Sequence, residues 1–120
     1  IPDSVTQIGY LAFAGCSRLR SVDIPASVKA IGCYAFEHCR SLRSVHIPAS
    51  VKEIGIDAFQ SCRSLKYVYI VGSETAIGRN AFANCSSLRC VMLPCPLTAT
   101  ERCAFPQGNG LSFFCRMAEK

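Results

Sequence analysis

Asp23, Ser44 and His46 are the residues here whose types suit catalysis, the acid, nucleophile and base of a hydrolase triad. Ser44 and His46 stand two residues apart, which puts both side chains on one face of a strand, flat on an open surface with no oxyanion donor or pocket indicated. That spacing suits an ordinary cross-strand pair of Asp23 with His46 better than a reaction centre, so no catalytic residue is assigned and no enzyme is expected. The remaining chemistry is sulfur: nine cysteines, accompanied by only two histidines, His38 and His46. No two cysteines have CxxC spacing, so neither a metal site nor any cofactor is expected. What the thiols do depends on the elements that hold them.

Those elements repeat with a period of 23 residues. Copies begin at Ile1, Ile24, Ile47, Ile70 and Leu93 and align without insertion. Phe13, Phe36, Phe59, Phe82 and Phe105 share one column, each preceded by Ala, and Leu19, Leu42, Leu65, Leu88 and Leu111 share another. Ile8, Ile31, Ile54 and Ile77 are each followed by Gly, and Val22, Val45, Val68 and Val91 fill a further column that ends in Phe114. A unit this short cannot hold two packed helices with their turns, but it suits one solenoid coil that buries its apolar side by stacking on its neighbours. The spacing Leu19, Val22, Ile24 predicts a half-buried strand stopped by Pro25. The VTQIG and VKAIG segments alternate again, and their Gly serves either a φ > 0 turn or a close backbone approach. AFAGC and AFEHC read as a single helical turn.

The columns IP, SV, IG, AF, C, L and V resemble those of the BspA-type leucine-rich repeats, closely over residues 1 to 93. The resemblance implies an α/β repeat solenoid, right-handed, of about five coils with a parallel sheet on its concave face. It also implies adhesion and protein binding at a cell surface. The expected organisation is one domain over residues 1–120, with repeats 1–23, 24–46, 47–69 and 70–92 and a degenerate terminal repeat 93–115. The pattern decays toward that end: Glu74 stands in the column of Val5, Val28 and Val51, Val71 and Gly72 replace the usual Pro pair, and Thr100, Glu101 and Gly108 replace Ile, Gly and Cys. A capping coil is expected there. The chain opens on IPDSV in an ordinary repeat, which suggests a piece of a longer protein with coils or a partner upstream.

Cys16, Cys39, Cys62 and Cys85 share one column and read as a ladder of small buried thiols without bridges, because Cβ vectors in such a stack run parallel. Cys33, Cys90, Cys95, Cys103 and Cys115 lie off that column, and one or two disulfides among the last four would staple the end coil in an oxidising compartment.

With Leu, Val and Ile inward, two rows face solvent: Ser21, Ser44, Tyr67, Cys90, Phe113, and Asp23, His46, Tyr69, Met92, Cys115. Tyr67 and Tyr69, with His46, Met92 and Asp23, are the expected ligand-binding residues, since an exposed apolar patch usually means contact. Drift at variable surface positions is the bland alternative. Arg20, Arg43, Lys66 and Arg89 form a basic seam beside them, with Arg18, Arg40 and Arg63 close by. A solvated flank explains it; sulfated glycan or an acidic protein segment are the ligands it suits, nucleic acid less so, as no stacking aromatics accompany it.

A net charge of +5 biases the chain mildly toward acidic partners, and half of its residues are hydrophobic, which excludes disorder. No apolar run reaches the length of a membrane span, roughly 18 residues. The expected function is a non-enzymatic adhesion module of a cell-surface or secreted protein, its partner a protein ligand of the extracellular matrix or a host surface. A cytoplasmic scaffold or recruitment domain docking its partner on the same face is the alternative.

Overall fold

The first four repeats each form one three-sided coil in the computed structural model, which describes residues 1–94, 104–106 and 112–115. The first side is short. Strands β1 (Gln7–Ile8), β2 (Ala30–Ile31), β4 (Glu53–Ile54) and β6 (Ala76–Ile77) lie parallel in that order, with Ile8, Ile31, Ile54 and Ile77 in register. The glycine after each Ile marks the closest approach of consecutive coils. A Cβ on Gly55 would sit 2.5 Å from the Cys33 nitrogen and 2.6 Å from the Gly32 carbonyl carbon, and one on Gly78 would sit 2.7 Å from the Gly55 carbonyl carbon. Close approach, rather than a positive φ, is what requires glycine in this column.

The second side is the longer sheet. Strands β3 (Ser44–Ile47), β5 (Tyr67–Ile70), β7 (Cys90–Leu93) and β8 (Ser112–Cys115) lie parallel in that order. Val45, Val68 and Val91, then Ile47, Ile70 and Leu93, turn inward and are buried, as period-two alternation requires. Two details differ from the sequence expectation. The first coil contributes no strand here: residues 21–24 are irregular, Val22 is half-buried, and the Arg43 N–H to Arg20 carbonyl bond of 3.1 Å joins the two coils just before this level. At the other end, β7 pairs Cys90 with Ser112 and Met92 with Phe114, one residue short of the repeat period. A slip of one residue exchanges rows. Ser112 and Phe114, and not Phe113 and Cys115, therefore stand in register with Cys90 and Met92, and Phe113 rather than Phe114 with Val91.

The third side overturns the α/β class. The described residues contain no helix, and the solenoid is all-β. In the AF segment, Ala12 N–H bonds back to Gly9 carbonyl at 3.1 Å and Cys16 N–H to Phe13 carbonyl at 3.2 Å, as in β-turns. Ala14 N–H likewise bonds back to Leu11 carbonyl at 3.1 Å, and the alternate donors cross to the next coil: Leu11 to Cys33, Phe13 to Ala35 and Gly15 to Glu37 carbonyls, at 3.2, 2.7 and 2.7 Å. A helix would send every N–H backward along its own segment. Here the backbone alternates because two positions per coil are left-handed, Leu11, Tyr34, Asp57 and Asn80 in one column and Gly15, His38, Ser61 and Asn84 in the other, with φ between 57° and 75°. A residue in that conformation ends a right-handed turn.

Inside the three sides the columns stack. Phe13, Phe36, Phe59, Phe82 and Phe105 are stacked, nearly parallel neighbours with ring centroids 5.1, 4.9, 5.1 and 4.9 Å apart. That spacing follows the distance between paired strands, about 4.8 Å, so the backbone ladder imposes a parallel stacking that ring quadrupoles alone would not prefer. In the fourth coil the buried Val column is filled by Thr75, while Glu74 is exposed. The Thr75 hydroxyl donates to the Val51 carbonyl at 2.7 Å, so its one polar group is satisfied below the surface. At the opening of the first coil Val5 and Phe13 are only partly buried.

Candidate protein-binding face

Strands β3, β5 and β7 carry the exposed face. Their register sets Ser44, Tyr67 and Cys90 on one row and His46, Tyr69 and Met92 on the next. Tyr67 is 56% exposed, a large value for an aromatic ring on a paired strand, and Tyr69 and Met92 are half-buried beside it. His46 meets Tyr69 edge to face, ring centroids 4.9 Å apart and planes at 89°. Edge-to-face contact is the arrangement ring quadrupoles favour, and it fixes the two rings against each other on neighbouring strands. Four of the five expected residues are thus brought together. Asp23 is exposed but lies on the first coil, outside the sheet, and makes no hydrogen bond or ion pair with His46. The imidazole turns to Tyr69 instead, and the triad geometry is not formed.

Arg20, Arg43, Lys66 and Arg89 are all exposed, on successive coils, immediately before the strand level. Among the described residues there is no group of histidine, cysteine and carboxylate side chains able to hold a metal ion, and no helix long and apolar enough to cross a membrane.

The cysteine column is structural. Cys39, Cys62 and Cys85 are buried free thiols, and each donates to a phenylalanine carbonyl of the preceding coil: Phe13, Phe36 and Phe59, all at 3.2 Å. Their chemistry is suppressed. The hydrogen bond to Cys62, reinforced by burial, drives the Cys39 thiol far above its ordinary value. For Cys62 the neighbouring Cys39 lowers the value, yet Cys85 and burial outweigh it and push the thiol up to about 12. A thiolate is the reactive form, so both are poor nucleophiles. Cys33 and Cys90 are free and half-buried. Cys95 and Cys103 lie outside the described residues, as does the side chain of Cys115, and with them the expected disulfide staple.

A second apolar area was not singled out in the sequence. Tyr10 is 68% exposed, Leu11 43% and Ile56 42%, and Tyr10 packs edge to face on Tyr34 at 5.9 Å. These residues follow the Ile-Gly strands, in columns where the repeat is variable, and their signal is only that large apolar residues occur there. The Tyr34 hydroxyl hydrogen-bonds the Asp57 carboxylate, which raises its pKa.

A leucine-rich-repeat solenoid with two parallel sheets is the class these features define. The BspA-type leucine-rich repeat model matches residues 1–112 in six copies, and the chain belongs to that family. Solved structures agree. A leucine-rich repeat protein from Bacteroides ovatus is 37% identical with a TM-score of 0.71, over 82% of this chain and 25% of its own. A leucine-rich cell surface protein from Faecalibacterium prausnitzii is 30% identical with a TM-score of 0.78, over 96% of this chain and 30% of its own. The leucine-rich repeat protein of T. pallidum is 26% identical with a TM-score of 0.68, over 94% and 64%. This chain therefore spans between a quarter and two thirds of the length of these relatives. No curated protein matches it. Solenoids of this family are characteristic of non-catalytic adhesion and binding modules.

Proposed function

We propose that this chain is the protein-binding module of a cell-surface or secreted adhesion protein, and that its partner docks on the face of Tyr67, Tyr69, His46 and Met92. The observation that carries this reading is the exposed Tyr67 beside the edge-to-face His46–Tyr69 pair on a hydrogen-bonded sheet. Tyrosine anchors interfaces well because a large apolar body and a hydroxyl come with only two rotatable torsions. Both rings here stand on strands whose backbone is already ordered, so little freedom is lost on docking. Asp23 borders the face from the first coil and supplies a rim charge. An extracellular-matrix or host-surface protein is the ligand class, in keeping with the cell-surface relative. The alternative is a cytoplasmic scaffold using the same face; it draws on the free state of all six fully described cysteines. The test is capture of the chain by immobilised matrix proteins. Replacing Tyr67 and Tyr69 by Thr, which keeps strand propensity, reduces capture by roughly tenfold or more, while Tyr10→Ser with Ile56→Ser leaves it unchanged. Equal capture by the two variants and the parent chain refutes the assignment of the face.

A further inference from the structure

We infer that the basic seam beside this face is a separate binding site for a linear sulfated polysaccharide laid along the solenoid axis. Seven of the chain's 13 basic residues fall within one six-residue stretch of the coil, just ahead of and into the longer sheet: Arg18, Arg20, Arg40, Arg43, Arg63, Lys66 and Arg89. No acidic residue occurs in residues 17–22, 40–45, 63–68 or 86–91, although the chain has 8. All seven side chains are exposed, and none has an ion-pair partner among the described residues. A flank that served solubility alone would mix signs. This one segregates them.

The backbone makes the row continuous. Arg43 N–H donates to Arg20 carbonyl at 3.1 Å, Lys66 to Arg43 at 2.8 Å and Arg89 to Lys66 at 2.9 Å. Successive charges are therefore mounted about 4.8 Å apart on hydrogen-bonded rungs, in a line that crosses the strands. Such a line suits a polymer with single-sign charge at close intervals. An extended acidic peptide presents same-side carboxylates about 6.6 Å apart and falls out of step with the rungs. Six of the seven cations are Arg, whose fork of donors matches tetrahedral and planar oxyanions bidentately. The hydroxyl-bearing Ser64 and Ser87 occupy the same stretch as further donors, whereas the Ser41 hydroxyl already donates to the Ser17 carbonyl at 2.6 Å. Nucleic acid is disfavoured because the nearest aromatic, Tyr67, has no second exposed ring on its row among the described residues over which successive bases would stack.

The experiment is heparin affinity measured as a function of salt. The chain is expected to bind with affinity falling steeply as salt rises, by a log–log slope of about three to four for a four-rung contact. Arg20→Ser, Arg43→Ser and Arg89→Ser together are expected to weaken binding by about tenfold or more. The charge-matched control Lys29→Ser, Lys52→Ser and Arg79→Ser lowers the net charge of +5 by the same three units and is expected to retain it. Tyr67→Thr with Tyr69→Thr is also expected to retain it, so this site stands or falls independently of the protein-binding face. Equal loss in the two charge variants overturns the proposal, as does equal binding of de-sulfated heparin, polyglutamate or duplex DNA.

Discussion

At the scale of single residues, the cysteines show how placement decides chemistry. Four share a column, and each of the three buried ones donates to a phenylalanine carbonyl of the preceding coil while lying beside the next thiol of the ladder, unbridged. Holding a thiol protonated in the folded state has a consequence for stability. Below the ordinary thiol value of 9.0 the native and unfolded chains bind the same protons at Cys62, and above it only the unfolded chain ionises. The native state accordingly loses its advantage as pH rises from about 9 toward 12, and Cys39 extends the loss in the same direction. Urea midpoints measured across this alkaline range are expected to fall, and Cys39→Ala with Cys62→Ala, though less stable at neutral pH, is expected to show a shallower fall. An unchanged alkaline slope in the double variant would remove the thiol ladder as its cause. Thiol labelling of the native chain is expected to follow the same division, with the half-buried Cys16, Cys33 and Cys90 reacting ahead of the buried Cys39, Cys62 and Cys85.

At the scale of the coil, the Ile-Gly corner limits how closely consecutive rungs pack. Gly55→Ala forces a methyl into the backbone of Cys33 and Gly32, and main chain cannot move aside as a side-chain tip can. The change is expected to destabilise the fold by about 1–3 kcal/mol. Gly9→Ala meets nothing within 4 Å and is expected to be close to neutral in the same thermal melt. Equal effects at the two sites would mean that coil contact at this corner is not what selects glycine. The strands were legible in the sequence because Leu42, Val45 and Ile47 repeat at the spacing of a half-buried strand, coil after coil. The third side was not legible. AFEHC offers good helix formers and apolar residues at turn spacing, and nothing in the identities of Tyr34 and His38 announces a left-handed backbone, whereas Asn80, Asn84 and Gly15 in the same columns do. Cross-coil hydrogen bonds, a property of the stack, override local propensity. The one-residue shifts at Thr75 and at β8 were hidden for a related reason: an alignment without gaps gives every coil the same 23-residue register.

For the whole molecule, each coil touches only its neighbours, and function is written on the columns that the stack leaves free to vary. Tyr67, Tyr69, His46 and Met92 could be read from the sequence because period-two alternation fixes which residues face out. The Asp23–His46 pair failed because the sheet begins one coil later than the repeat does. The area around Tyr10 and Ile56 went unnoticed because its side was expected to be a helical turn. Among the described residues, three of the four large exposed hydrophobics lie there and only Tyr67 lies on the sheet, so the two faces compete for the role of docking surface. Hydroxyl-radical footprinting of the chain, free and bound to a captured matrix protein, decides between them directly. The account predicts protection of Tyr67, Tyr69 and Met92 with Tyr10 and Ile56 as reactive as in the free chain; protection of Tyr10 and Ile56 with Tyr67 unprotected would contradict it.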